Sequence, residues 1–227
     1  AALLDSAGPV FKTEQVRAEL MLHAPQGVQV GQTFWLGLQI QHQPHWHTYW
    51  QNPGDSGLPT RLQWQLPAGL QAGDIVWPLP KKIPIGTLAN YGYENQVLLA
   101  VPVTVLADFK FPDSGPLALQ VQAEWLVCRQ ECIPQEGKLA LNLASAAPQK
   151  SQAALFEAAQ KRSPQSLPSQ EKDGSWVSGG PTRLSEDGKQ LNLQVHGLPA
   201  PWRGQTLSRL RQLIRQAAEQ ASASIGV

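Results

Sequence analysis

Two cysteines with the spacing C-x3-C are the residues of this sequence best placed to carry chemistry. Cys128 and Cys132 are its 2 cysteines, and a structural zinc site would need further ligands of similar quality nearby, so the pair forms either one local disulfide or a working dithiol. A tight turn would bring the Cα atoms within the roughly 4.4–6.8 Å that a disulfide requires. The ring closed by this bond is small and gains little loop entropy, which favours redox use over a structural staple.

The residues around the cysteines bear on how reactive they would be. Arg129 and Glu131 lie between them and act in opposite directions on a thiolate, the nucleophile of disulfide exchange, because only the arginine stabilises it. Trp46, Tyr49 and Trp50 could pack around the sulfurs, limit the access of small thiols and raise the free energy of a charged thiolate. We therefore expect a shielded dithiol.

Three histidines, His42, His45 and His47, offer an alternative use of the same cysteines. Thiolates and imidazoles suit Cu(I) or zinc, so a copper-handling domain is one alternative function. The spacing His-x-His would place His45 and His47 on the same face of a strand, which exposed sheet residues also do. Ligand spacing alone gives many false positives, so we expect neither a metal nor a cofactor. A binding module with a structural disulfide is the other alternative.

Composition excludes several classes of function. The net charge is +1 and 15% of residues are charged, which gives no electrostatic surface for DNA or RNA. The sequence has no P-loop, G-x-G-x-x-G or G-x-S-x-G motif, and its carboxylates are scattered, so nucleotide chemistry, hydrolysis and a small-molecule substrate are not expected. No apolar run is long enough to span a membrane. The start, Ala1-Ala2-Leu3, is typical of an exported chain after cleavage, although a cut end would look the same.

The elements that must position the cysteines are short β-strands. The chain has 19 glycines and 19 prolines, a density that suits many strands and turns better than long helices. Between residues 15 and 143, apolar and polar residues alternate in segments separated by turn signals, which predicts an all-β antiparallel β-sandwich. The predicted strands are residues 16–22, 33–40, 47–50, 61–66, 74–77, 96–106, 117–126 and 138–143.

Three parts of the chain are distinguished by composition. Residues 10–146 form the sandwich, residues 147–175 a helix and linker, and residues 176–227 a partial second β unit with an amphipathic C-terminal helix.

Specific signals place the elements of the last two parts. Ser151 is expected to cap a helix over residues 152–162, which Pro164 ends. A hairpin over residues 184–195 would turn at Asp187-Gly188. Apolar residues at helical spacing predict an amphipathic helix with a basic side over residues 206–224, for which we favour docking on protein over binding a membrane surface.

Four motifs in a fixed order resemble the N-terminal periplasmic region of the DsbD-like and ScsB-like thiol:disulfide interchange proteins. The resemblance covers residues 10–145 well and residues 146–202 more loosely. The family's fold is an immunoglobulin-like sandwich. The motifs are HWHTYWQNPGDSG at 45–57, WP at 77–78, NYGY at 90–93, and WLVC at 125–128 with CIP at 132–134.

The resemblance implies an electron relay in the periplasm. A membrane domain would pass reducing equivalents from cytoplasmic thioredoxin to Cys128 and Cys132, and this dithiol would then reduce periplasmic thioredoxin-like proteins. Cys132 would form the mixed disulfide with a partner, and Cys128 would resolve it. His47 and Tyr49 fall where DsbD has two tyrosines beside its active site.

The resemblance also implies a shield, from which this sequence departs. Residues 86–93 fall where DsbD has a cap over its cysteines, but the acidic and phenylalanine residues of that cap are absent. Asn90 stands near those positions, and Tyr91 is the candidate replacement. We expect Trp125 to complete the shield with His47 and Tyr49. The C-x3-C spacing is shorter than that of DsbD, which makes ScsB-like relatives the better comparison.

Overall fold

The computed structural model describes residues 8–149 and 152–163, together with four short strands between residues 178 and 196. The chain divides into two compact units, Ala1–Ser163 and Pro164–Val227. In chain order the strands of the first unit are β1 (Val10–Lys12), β2 (Val16–His23), β3 (Thr33–His42), β4 (His47–Gly54), β5 (Arg61–Gln65), β6 (Leu70–Ala72), β7 (Lys81–Ile85), β8 (Leu88–Glu94), β9 (Gln96–Val105), β10 (Leu117–Cys128) and β11 (Cys132–Leu143).

These strands form two antiparallel sheets. The first has the order β1-β2-β3-β9-β6, and the second has the order β11-β10-β4-β8-β7, with β5 also paired to β10. Strand β10 is the centre of the second sheet: β11 pairs with its whole length, β5 with Gln120 to Glu124, and β4 with Cys128 alone. The end of β10 therefore lies between β11 and β4.

The core lies between the two sheets. Alternation along β10 buries Val121, Ala123, Trp125 and Val127, which pack against buried residues of the first sheet such as Leu20. A second buried cluster continues the core around Phe34, Leu36 and Leu119 at the other end. The predicted antiparallel β-sandwich is confirmed.

Two local predictions of secondary structure were wrong, one of a strand and one of a loop. Residues 74–77 do not form a strand, because Val76 makes only an isolated bridge to Ala100. Residues 86–93, predicted as a cap loop, belong to the hairpin of β7 and β8, which turns at Gly86 and Thr87 between the paired residues Ile85 and Leu88. Glycine suits this turn since Gly86 has φ of 58°.

A single helix in the described part of the chain, α1 (Ala153–Lys161), packs on the outer face of the first sheet. Phe156 and Ala159 are buried against Met21, Leu98 and Ala100, so the amphipathic pattern decides which helix face docks. In this part of the chain, no helix has the length and apolar character needed to cross a membrane.

The boundaries of α1 differ slightly from the prediction of residues 152–162. Its N-cap is Gln152, with φ of 70° and no side-chain cap hydrogen bond. Ser151 and Pro164 lie outside the described residues.

The second unit contains two pairs of antiparallel strands. Strand β12 (Ser178–Gly179) pairs with β15 (Val195–His196), and β13 (Arg183–Leu184) pairs with β14 (Leu191–Asn192). This pairing agrees with the predicted hairpin, whose turn at Asp187-Gly188 lies outside the described residues, as does the helix predicted over residues 206–224. The predicted boundaries 10–146, 147–175 and 176–227 stay predictions, while α1 falls in the first unit.

Candidate redox site at the end of the β10–β11 hairpin

The cysteines form a disulfide at the end of the β10–β11 hairpin. Cys128 and Cys132 are the last paired residues of the ladder, and their Cα atoms are 4.1 Å apart. The backbone N–H of Arg129 donates to the carbonyl of Glu131 at 3.0 Å and closes the turn between them. The sequence left open a local disulfide and a dithiol, and the oxidised form of this pair is the one in the structure.

The two cysteines differ in exposure. Cys128 is 1% exposed, because it lies between β11 on one side and His47 of β4 on the other. Cys132 is exposed at the start of β11, which is the edge strand of its sheet. A protein that approaches the disulfide therefore meets Cys132 first.

His47 and Tyr49 contact the disulfide from β4. They are two residues apart, so their side chains share the face on which His47 pairs with Cys128. The Tyr49 hydroxyl lies 3.9 Å from Sγ of Cys132 and 3.3 Å from Nε2 of His47. Both side chains are buried, with 1% of Tyr49 and 3% of His47 exposed. These two predicted site residues are brought to the cysteines.

Burial sets the protonation of both groups. Desolvation lowers the pKa of His47, although Glu94, its partner across the β4–β8 ladder, acts in the opposite direction. Desolvation also raises the pKa of Tyr49. At neutral pH, the imidazole is therefore neutral and the phenol keeps its proton.

A glycine leaves the space that the Tyr49 ring occupies. Gly57 has φ of 99°, and a Cβ on it would lie 2.3 Å from the Tyr49 ring, so no other residue fits there without moving the tyrosine. The run Asn-Pro-Gly-Asp-Ser-Gly at residues 52–57 indicates a turn. Its glycines were the available signal, but the partner of Gly57 could not be read from them.

Hydrogen bonds to β8 fix residues 52–57, which comprise the end of β4 and the loop that follows it. Asp55 accepts from the backbone N–H of Ala89 at 2.7 Å, and its own N–H donates to the carbonyl of Ala89 at 3.1 Å. Oδ1 of Asn90 accepts from the backbone N–H and the hydroxyl of Ser56 at 2.9 and 3.1 Å. The side chain of Asn90 is fully buried and anchors the loop that seats Tyr49.

The other two predicted shield residues lie away from the sulfurs. Trp125 is in the core, where its Nε1 donates to Oε1 of Gln135 at 3.0 Å and its ring meets Phe11 edge-on. Tyr91 is 37% exposed on β8. Strand alternation places it on the same face as the core residue Tyr93, opposite to the face that carries Gly92, the partner of Tyr49.

The structure does not gather the three histidines around the sulfurs. His45 is exposed and has φ of 71° in the turn before β4, so the prediction that it shares a strand face with His47 was wrong. His42 instead contacts the Thr48 hydroxyl through Nε2 at 2.9 Å, and burial lowers its pKa to about 4. Within residues 8–149 and 152–163, no group of three or more potential ligands could hold a metal.

Arg129 lies over an aromatic ring at the end of the hairpin. Its guanidinium carbon is 5.1 Å from the ring centroid of Trp46, the arrangement of a cation–π contact. The contact joins the turn between the cysteines to the residue just before β4. It holds a positive charge close to the disulfide.

An open groove continues from the disulfide along the same sheet face. Its volume is about 440 Å³. Leu126 and Pro134 are paired residues in its floor and lie two positions from Cys128 and Cys132, so they share the face of the cysteines. Leu58 at its side is 60% exposed. Arg61, Glu124 and Glu136 also line the groove, so a surface of mixed apolar and charged character lies two positions along the hairpin from the disulfide.

The fold and the site together describe a β-sandwich domain with a disulfide at the end of a hairpin. One of its cysteines is buried and the other is exposed. A scan against protein-family models matched the family "Thiol:disulfide interchange protein DsbD, N-terminal" over residues 18–144. This match covers more than half of the chain, which therefore belongs to that family. The resemblance stated from the four motifs is confirmed.

A solved structure agrees with this fold. The N-terminal periplasmic domain of ScsB from Proteus mirabilis matches with a TM-score of 0.54 and 17% identity, over 82% of this chain and 83% of that one. The periplasmic chaperone SfaE matches with 8% identity over 77% of this chain and 80% of that one, but its TM-score of 0.26 is too low to support an argument. A comparison with curated proteins gave no match.

Proposed function

We propose that this chain is a periplasmic thiol–disulfide exchange domain, a protein-disulfide reductase that uses Cys128 and Cys132. The observation that carries the proposal is the unequal exposure of the two cysteines, since Cys128 is buried and Cys132 is exposed. An exchange site needs one sulfur that a partner can reach and a second that resolves the mixed disulfide from inside. Membership in the DsbD N-terminal family supports the same function.

The reaction follows from the two positions. In the reduced domain, the thiolate of Cys132 attacks one sulfur of a partner's disulfide, and the partner's other sulfur leaves as a thiolate. Cys128 then loses its proton and attacks Sγ of Cys132, which releases the partner's first sulfur. Two electrons and two protons pass to the partner, and the Cys128–Cys132 disulfide is restored.

The partners we propose are periplasmic thioredoxin-like proteins on one side and a membrane electron-transfer domain on the other. The groove next to the disulfide supports a protein partner, because its open form, exposed Leu58 and charged residues Arg61 and Glu124 suit a protein surface better than an enclosed small molecule. Neither alternative function gains support. The copper-handling hypothesis lacks a ligand cluster in the described residues. A structural disulfide does not require one exposed cysteine.

Trapping of the mixed disulfide tests the proposed roles. In Cys128→Ala, the exposed Cys132 keeps its nucleophile but has no resolving thiol, so we expect a stable covalent complex with an oxidised thioredoxin-like protein. The matched variant Cys132→Ala keeps only the buried thiol and should trap little. The complexes are counted on non-reducing gels and identified by mass spectrometry. Equal trapping by both variants, or trapping only by Cys132→Ala, would contradict the assignment.

A further inference from the structure

A chain of polar atoms leads from the exposed cysteine into the sheet. It runs from Sγ of Cys132 to the Tyr49 hydroxyl at 3.9 Å and then to Nε2 of His47 at 3.3 Å. Among the described residues, the hydroxyl has these two hydrogen-bond contacts and no others. Both side chains are almost completely buried. The sulfur is thus connected to a titratable group that solvent does not reach.

Shielding alone does not account for these two residues. A phenylalanine would cover the sulfur as well as Tyr49 does, without a hydroxyl whose burial is unfavourable unless it is hydrogen-bonded. His47 adds a second buried polar group beside Cys128. The loop that seats the ring at Gly57 keeps the hydroxyl beside the sulfur. The arrangement suits a group that must exchange protons with the sulfur.

We propose that Tyr49 and His47 form a proton relay for Cys132, with Nε2 of His47 as the terminal proton acceptor. This inference rests on the proposed function in thiol–disulfide exchange. It assigns to the pair a role in the chemistry in addition to the cover that they give.

The relay accounts for the proton of the reacting thiol. As Cys132 attacks, its S–H proton passes to the oxygen of Tyr49, while the Tyr49 O–H proton passes to Nε2 of His47. Sγ of Cys132 then bonds to the partner's sulfur, the partner's S–S bond breaks, and its other sulfur leaves with the electron pair of that bond. His47 returns its proton through Tyr49 to the sulfur that leaves or to water, so no other reactant is required.

The surroundings of His47 keep it able to accept a proton. Burial lowers its pKa, so the imidazole is neutral at pH 7. The groups that face it are Glu94 from β8, Cys128 from β10 and His42 from β3, besides Tyr49 on its own strand. Of these, Glu94 opposes the lowering, while His42 is neutral at pH 7 because its pKa is about 4. The relay is therefore lost only as the pH falls and His47 becomes protonated.

The pH dependence of thiol reactivity tests the relay. The reduced full chain is mixed with 2,2′-dithiodipyridine, a small neutral disulfide, and second-order rate constants are measured from pH 4 to pH 9. We expect Tyr49→Phe and His47→Gln each to lower the rate at pH 7 at least about tenfold and to remove an ionisation from the acidic limb of the profile. Tyr49→Phe keeps the ring and its cover, so a change in this variant reports the hydroxyl.

Two matched variants control for the loss of a tyrosine hydroxyl or an imidazole elsewhere. Tyr93→Phe removes a buried hydroxyl that donates to the carbonyl of Pro78 at 2.6 Å, and His45→Asn removes an exposed imidazole at a left-handed position that asparagine tolerates. Both should keep the wild-type profile. Circular dichroism and thermal unfolding verify that each variant is folded.

The wild type alone supplies a second test should His47→Gln or Tyr49→Phe fail to fold. Proton NMR follows the titration of His47, and the relay predicts that its midpoint differs between the oxidised and reduced protein. The relay would be overturned by identical midpoints, by profiles of both variants that superimpose on the wild type, or by a faster reaction in Tyr49→Phe. None of these results would affect the proposed function. A wild-type disulfide that cannot be reduced in the folded protein would instead overturn the proposed function.

Discussion

At the scale of single residues, the burial of His42 and His47 determines their protonation. The neutral forms of His42 and His47 are the ones that the sheet accommodates, because burial lowers both pKa values. For His42, Nδ1 faces the carbonyl of Asn95 at 3.4 Å and Nε2 accepts from the Thr48 hydroxyl at 2.9 Å. Protonation would remove the acceptor for Thr48 and place a charge in the sheet.

This burial predicts a loss of stability in acid. The folded pKa of His42 is about 4 and the unfolded value is about 6.5, so the unfolded state binds more protons between them and stability falls as the pH falls. We expect His42 to contribute a loss on the order of 2 kcal/mol between pH 6.5 and 4, after allowance for its partial exposure. Urea unfolding at several pH values measures it.

The variant His42→Gln isolates this contribution, since glutamine offers Thr48 an amide oxygen and does not titrate. Its free energy of unfolding should change less between pH 6.5 and 4 than that of the wild type. A variant that loses stability in acid as steeply as the wild type would show that His42 is not the group responsible.

At the scale of elements, the site depends on the β10–β11 hairpin and on the loop after β4, which β8 holds in position. The β10–β11 hairpin brings the cysteines together, and the loop of residues 52–57 seats Tyr49 against them through Gly57. Hydrogen bonds from Asp55 and Ser56 to β8 fix the loop. The β7–β8 hairpin therefore supports the site from the side, where the resemblance suggested a cap.

A methyl group at the seat of Tyr49 tests this support. In Gly57→Ala, the new Cβ would lie 2.3 Å from the tyrosine ring at φ of 99°, so we expect a loss of about 2–3 kcal/mol of stability and a displaced Tyr49. Gly86→Ala is the control, because φ is 58° and nothing lies within 4 Å of the new Cβ. Its loss should be about 1 kcal/mol. Chemical denaturation of both variants measures the difference. Equal losses of stability would contradict the close packing of Tyr49 against Gly57.

At the scale of the whole molecule, sequence patterns were informative wherever the determinant was local. Alternation predicted β2, β3, β5, β9 and β10 closely, since each residue's face follows from its position along the strand, but it did not indicate the strands β1, β6, β7 and β8. The spacing of Cys128 and Cys132 predicted a local pair because a tight turn joins them. The amphipathic spacing of α1 likewise predicted a helix to within one residue at each end.

Determinants that depend on distant contacts were not available from the sequence. The turn before β4 changes the direction of His45, which no periodicity records. Trp125 is the exception, because its position three residues from Cys128 on the same strand already implies that its ring lies on the core face, away from the sulfur. The seat of Tyr49 joins Gly57 to a residue on another element, and only the fold shows that contact.

The central claim is that the Cys128–Cys132 disulfide opens and closes on an intact sandwich. The ring that it closes is small, so the chain-entropy model gives about 2 kcal/mol of stability for it, while the core clusters lie between the sheets and do not need the bond.

Equilibration of the full chain in graded dithiothreitol and glutathione buffers, with thiol counting and circular dichroism, tests this claim most directly. We predict a reduction potential between roughly −270 and −120 mV, the range of exchange proteins, with an unchanged β-sheet spectrum on reduction. A potential below about −300 mV, typical of structural disulfides, or loss of the sandwich on reduction would contradict it.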